Sequence, residues 1–288
     1  HIALTGDGRV ISVCMHSIPT VVGHVYSAWS NTTLRVWDLE TGQCLKVMDT
    51  YTGRGSGIAL TGDGRAVTPI DRTLRVWDLA TGQCLQVLEG HKYDVTHVAL
   101  TGDGRAVSAS REDFTLRVWD LATGQCLKIL KWYSGALRQV ALNDDGRAVL
   151  AFGDRDNTLR VWDLETGECL KVLKGHTRSV HYVALTDDGR AVSASEDKTL
   201  RVWDLATGQC LKVLEGHTDQ VRHIALTGNG RVVSASGDKT LRVWDPETGR
   251  CLKVLEGHTQ SVRHVTLTGD GRAVSTSSDN TIRVWDLE

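Results

Sequence analysis

Apolar and polar residues alternate along most of this chain in short runs, each closed by a polar turn. One representative stretch reads VALT, DDG, RAVSAS, EDK, TLRVWD, LATGQ and CLKVLEG. Period-two alternation rich in Val, Thr and Trp predicts strands, and no segment carries a convincing helical period. The GDG and DDG tripeptides predict hairpins, because their residues supply the positive φ angles that a tight reversal requires. The pattern therefore predicts an all-β chain with four short strands in each unit.

The units repeat. The string RVWD recurs at Trp37, Trp77, Trp119, Trp162, Trp203, Trp244 and Trp285, at intervals of 40, 42, 43, 41, 41 and 41 residues. Comparing His176–Gly216 with His217–Gly257, 29 of 41 positions are identical. Residues 1–288 thus read as one repeat domain without a linker. A four-stranded sheet of this size cannot bury both its faces alone, so the units must stack, and seven sheets closed in a ring meet that need.

Composition narrows the function classes. At 288 residues, 41% hydrophobic and 24% charged, the chain has a globular composition. Its 33 basic and 35 acidic residues leave a net charge of −2, which argues against nucleic-acid binding by bulk charge. No apolar run approaches the roughly 18–20 residues of a membrane helix, so no membrane partner is expected. The opening HIALTGDG has neither an initiator Met nor a signal sequence and reads as a piece of a longer protein. Six cysteines, Cys44, Cys84, Cys126, Cys169, Cys210 and Cys251, each follow an RVWD Trp by seven residues. Spread one per unit, they are expected to lie beyond the ~7 Å disulfide limit, as small buried hydrophobes in a reducing, cytoplasmic compartment.

A Gly-His pair, a turn Asp, a Trp-Asp ending and a 41-residue period occur together, repeatedly, over nearly the whole chain. In this the chain resembles the WD-repeat family of β-propellers. The resemblance implies a seven-bladed propeller of four-stranded antiparallel blades. The first strand of each would line a central channel, and the loop before it would share a top face with the turn between the second and third strands. Because the chain ends at Trp285-Asp286-Leu287-Glu288, the last blade is expected to lack its outer strand, which the family habit supplies from an N-terminal segment. Near-identical tandem repeats look like those of bacterial WD-repeat proteins, where the propeller is often the sensor end of a signalling protein. A monomeric propeller tethered to other domains is expected.

Ser, His and Asp recur at fixed offsets with Trp: His91, Ser108, Asp113, Trp119; His176, Ser193, Asp197, Trp203; His217, Ser234, Asp238, Trp244; His258, Ser275, Asp279, Trp285. A nucleophilic triad uses the same residue types. An active site is singular, however, whereas this set recurs, and the family pattern implies a structural network in which imidazole bridges Asp and Ser and the Ser accepts from the indole. No catalytic residue is expected. The other units depart from the pattern. The third carries an extra residue in Arg111–Phe114, and the fourth has Trp132-Tyr133 for Gly-His and Leu150 for Ser. The second reads Thr68-Pro69-Ile70, and the first has Asn31 for Asp with about 15 extra residues between Gly8 and Ser27.

By family pattern the top-face positions are Arg54, Ser56, Ile70; Asp94, Thr96, Glu112; Ala136, Arg138, Arg155; Ser179, His181, Glu196; Gln220, Arg222, Gly237; and Ser261, Arg263, Ser278. Arg138, Arg155, Arg222 and Arg263, with His181 between them, would form a basic arc, and arginine suits bidentate pairing with carboxylate or phosphate. Trp29, Trp132 and Tyr133 are expected as aromatic anchors beside it. The implied function is a non-catalytic recognition or scaffold module for an acidic protein or peptide. A glycan or small-molecule binder is the alternative, disfavoured because the aromatics are single-copy; a designed scaffold without a ligand is a third. His1, His97, His223 and His264 recur before the inner strand. Their spacing is no ligand motif and follows from duplication, so neither metal nor cofactor is expected.

Overall fold

The computed structural model describes all residues except 1, 5–8, 23–24, 39–40, 42, 51–57, 134, 144, 155 and 288; at 2–4, 9–22, 25–33, 37–38 and 48–50 it describes the backbone alone. Two compact units divide the chain, His1–Tyr133 and Ser134–Glu288. Every regular element is a strand, and every sheet is antiparallel with its strands in chain order.

The first unit contains three four-stranded sheets. In the first of these, Arg9–Val22 and Val25–Asp38 pair over their whole lengths, from Arg9↔Asp38 to Val22↔Val25. The extra residues of this repeat therefore lengthen one hairpin. Pro19 pairs opposite Ala28 within it. Counted from the Val22↔Val25 closing pair, that is a position where no N–H is needed for the ladder, so the proline is accommodated. Between the first and second sheets, Leu34 and Val36 meet Ala66, Ile70 and Trp77. Val67, Leu74 and Leu88 of the second sheet meet Ala106 and Trp119 of the third.

The second unit contains three four-stranded sheets and a final three-stranded one, Val262–Leu267, Ala273–Ser277 and Ile282–Trp285. Adjacent sheets here interdigitate in the same way. Val192, Ala194, Leu200, Val202 and Leu214 of the fifth sheet pack against Val221, Ile224, Val232 and Trp244 of the sixth. The middle strand RAVSAS, Arg190–Ser195, is buried on both faces, which explains its run of small and β-branched residues. Burial of each Val or Leu side chain in such a layer contributes roughly 1.5–3 kcal/mol.

Two irregularities recur. At the outer pairing Trp203 faces Cys210 but Val202 faces Lys212, so Leu211 is an extra residue. The same bulge occurs in all six four-stranded sheets. It turns Leu211 and its equivalents toward solvent. At the inner pairing Val221 faces Ser236 but His223 faces Ala235, which makes Arg222 the extra residue. A bulge of this kind re-aims one side chain without ending the strand.

The cysteines correct the sequence expectation. Cys44, Cys84 and Cys169 are exposed, and Cys126, Cys210 and Cys251 half-buried. They open the outermost strand, where only one side of the sheet has a neighbour, and each thiol turns back to donate to the carbonyl two residues on, as Cys210 does to Lys212 at 3.4 Å.

Glycine is required at the Gly-His step. Gly216 has φ +147°, and a Cβ there would lie 2.6 Å from Nη1 of Arg242, itself stacked on Trp244 with its guanidinium carbon 6.0 Å from the ring. Gly216→Ala is expected to destabilise by about 1–3 kcal/mol, read as a lower urea midpoint. Gly228→Ala, which has open space and an ordinary φ, is expected to shift it by less than about 0.5 kcal/mol. Equal effects of the two would contradict this packing.

Candidate functional site

Each recurring polar set joins four separate segments. In the sixth sheet the indole N–H of Trp244, on the third strand, donates to Ser234 Oγ at 2.8 Å. Ser234, on the second strand, lies 2.7 Å from Nε2 of His217, in the loop entering the sheet. Nδ1 of His217 lies 2.7 Å from Asp238 Oδ2, in the turn between the second and third strands. That carboxylate also accepts from the Thr218 amide at 3.1 Å and, through Oδ1, from the Thr240 hydroxyl at 2.7 Å. The third, fifth and seventh sheets repeat this chain with His91, His176 and His258 at 2.7–2.9 Å from Asp and 2.7–2.8 Å from Ser.

The electrostatics make these sets structural. At Asp238 burial favours protonation, but the hydrogen bond from His217, the Thr240 hydroxyl and the Thr218 amide outweigh it and hold the carboxyl far below its ordinary range. Asp197 behaves alike beside His176, whose own imidazole burial pushes below its usual range, toward the neutral form. A neutral ring donates through Nδ1 to Asp and accepts at Nε2 from Ser, whose oxygen accepts the indole N–H. Every group is then satisfied, and Ser193, Ser234 and Ser275 have no exposed surface. A sealed hydroxyl that already serves Trp and His offers no route to a substrate.

The irregular sheets keep parts of the chain. In the second sheet Trp77 donates to Thr68 Oγ1 at 2.8 Å, so Thr68 stands where Ser is usual. The third sheet absorbs its extra residue by placing Phe114 at φ +54° and keeps His91, Asp113 and Ser108 engaged. In the fourth sheet buried Leu150 leaves the Trp162 indole N–H buried without a partner, and Asp156 pairs with Arg160 at 2.6 Å. Arg160 in turn lies 5.0 Å over the Phe152 ring. The aromatic expectation needs correction here. Trp132 is only 2% exposed and packs edge-on against Phe114 at 6.3 Å, so it is a core residue and not an anchor; Tyr133 is 90% exposed. The Trp29 side chain, Arg54, Ser56 and Arg155 lie outside the described residues.

The basic positions occupy a specific geometric niche. Arg138, His181, Arg222 and Arg263 are the bulge residues of the inner strands of the fourth to seventh sheets. In the third sheet the same place holds Thr96. Each bulge residue is tied by a polar contact. Arg138 pairs with Asp154 at 2.9 Å. His181 Nε2 lies 3.4 Å from Glu196 and 3.3 Å from the Gln220 amide oxygen of the next sheet. Arg222 donates through Nε to Ser261 of the next sheet at 3.1 Å, and Arg263 through Nε to Ser278 at 2.8 Å. The Ser278 amide donates to the Ser261 carbonyl at 2.9 Å, so the two arginine anchors form one cluster. The arc is thus not uniform. Arg138 and His181 face carboxylates, whereas Arg222 and Arg263 are held by hydroxyls and form no ion pair among the described residues. Asp94 and Glu112 belong to the first unit, whereas this row belongs to the second.

The sequence singled out His223 and His264 beside the bulges as products of duplication, but neither Tyr182 nor the stack they form with it. Tyr182, His223 and His264 stack across three sheets, with ring centroids 3.9 Å and 3.7 Å apart. Burial, aided by the His264 charge, pushes the His223 imidazole down to about 3. Among the described residues no cluster of three or more His, Cys, Asp or Glu could hold a metal ion.

This architecture has known counterparts. The crystal structure of the WD40 β-propeller domain of Doa1 is 24% identical, with a TM-score of 0.72 over 100% of this chain and 92% of that one. The fold is that of a WD40 β-propeller of seven antiparallel sheets, a class that generally serves as a protein-interaction scaffold. A family model for the WD domain, G-beta repeat, matches residues 82–120, and the β-propeller model described as WDR41 matches residues 129–288. With more than half its length matched, the chain belongs to the WDR41 β-propeller family. No curated protein matches the chain.

Removing one link tests the polar chain. His217→Ala leaves Ser234 and Asp238 short of a partner and is expected to cost about 1–3 kcal/mol, measured by urea denaturation. Because the folded carboxyls of Asp197, Asp238 and Asp279 are depressed, the stability they contribute is complete above the ordinary carboxylate range and is lost as pH falls below it. The urea midpoint is therefore expected to be flat from about pH 7 to 5 with respect to these carboxyls and to fall below about pH 4, less steeply in Asp238→Asn. An unchanged slope in that variant would contradict the assignment.

Proposed function

We propose that the chain is a non-catalytic recognition module that binds an acidic segment of a protein or peptide across Arg222 and Arg263. The observation that carries this is the charge imbalance along the bulge row. The fourth and fifth sheets place Asp154 and Glu196 against their bulge residues, whereas the turn positions that correspond to Glu196 in the sixth and seventh hold Gly237 and Ser278. Ser261 and Ser278 fix each guanidinium through Nε, which leaves the Nη groups to form the planar fork that carboxylates match. Asp219 lies near Gly237, its carboxylate close to where a Cβ would project, and it limits the patch on that side. The sealed Ser-His-Asp sets support the absence of catalysis.

Fluorescence anisotropy with a labelled hexa-aspartate peptide tests this on the whole chain. Arg222→Glu with Arg263→Glu is expected to weaken binding at least about tenfold and to flatten its dependence on salt. The urea midpoint is expected to stay within about 0.5 kcal/mol, since neither residue supports the core. Equal affinity of the two forms would refute the assignment.

A further inference from the structure

His181 differs from the other bulge residues in being able to change its charge near neutral pH. Its Nε2 faces two acceptors, Glu196 on its own sheet and Gln220 on the next, so Nε2 carries the hydrogen and Nδ1 is the nitrogen left to take up a proton. Arg138 on the preceding sheet and Arg222 on the following one act on the same ring. Among the described residues these four are the groups that act on it. Burial is the largest influence and opposes a charge; the two arginines add to that opposition, while Glu196 and Gln220 favour the charge but do not prevail, and the imidazole is held below its ordinary range.

An anion seated on the row alters this balance. It offsets the Arg222 charge, one of the two that oppose protonation, and adds an attraction of its own, so the protonated ring is favoured in the complex relative to the free protein. We propose that binding of an acidic segment to this row is coupled to uptake of a proton by His181, which makes affinity rise as pH falls. The inference rests on the acidic-segment function proposed above and adds its regulation. The sign follows from linkage: if ligand raises the affinity of the ring for a proton, then the proton raises the affinity for ligand by the same factor. The rise begins as pH drops through the ring's pKa in the complex and levels off below its pKa in the free protein.

The test uses the full chain and hexa-aspartate, whose carboxyls stay ionised above about pH 5.5. Affinity is expected to be roughly three- to tenfold higher at pH 5.5 than at pH 7.5, since one linked proton allows at most about tenfold per pH unit. Calorimetry in buffers of different ionisation enthalpy is expected to show net proton uptake near pH 6, and the NMR titration of the His181 ring to shift upward when the peptide is present. His181→Gln is expected to abolish the uptake and flatten the profile. Binding that weakens with Arg222→Glu and Arg263→Glu but shows the same pH profile in wild type and His181→Gln would overturn the proton coupling alone. Absence of binding at both pH values, or affinity indifferent to the arginines, would overturn the acidic-segment function and the coupling with it.

Discussion

The hydrogen-bonded chain from indole to carboxylate is the constraint on which the rest of this structure turns. In the sixth sheet it ties the entry loop at His217 to the second strand at Ser234, the third at Trp244 and the intervening turn at Asp238. Hydrophobic interdigitation holds neighbouring sheets together without direction, as any well-matched apolar faces would. The polar chain adds direction: it sets where the loop enters, and five residues later the bulge at Arg222 presents its side chain. The same spacing separates His176 from His181 and His258 from Arg263.

This divides labour between residues that repeat and residues that vary. Ser, His, Asp and Trp are spent on satisfying one another, and the Asp of the RVWD string is equally committed, Asp204 accepting from the Ala206 and Thr207 amides at 2.8 Å. Chemistry facing solvent is left to positions whose neighbours differ from sheet to sheet. The fourth sheet shows that the fold tolerates another solution, with Arg160 paired to Asp156 and stacked on Phe152. It does so with the Trp162 N–H unpaired, a cost of about 1–3 kcal/mol.

Strands, turns and repeat number were legible in the sequence because each rests on local chemistry: alternation, Gly and Asp at reversals, a fixed period. What was not legible depends on register. Family pattern alone singled out Arg222, since a one-residue bulge leaves no mark on the composition of VRHIAL; that bulge is the physical reason why Arg222 and not its neighbour His223 stands in the row. The stack of Tyr182, His223 and His264 requires three strands to be aligned before it exists. Trp132 read as an aromatic anchor because it replaces Gly, but it is buried, with Phe114, held at positive φ, packed edge-on against it. The cysteines misled for a related reason. Their apolar neighbours Leu and Val suggest burial, but the outer strand has no further strand beside it.

Hydrogen exchange of the whole chain, comparing wild type with Ser234→Ala, measures most directly whether the polar chain positions the loop that carries the bulge. Amides from Thr218 to Arg222, and those of the turn around Asp238, are expected to lose protection locally, with the outer strand Cys251–Leu255 unchanged. Uniform loss of protection across the sheet, or none in the entry loop, would show that the loop is held by packing instead and would contradict the account.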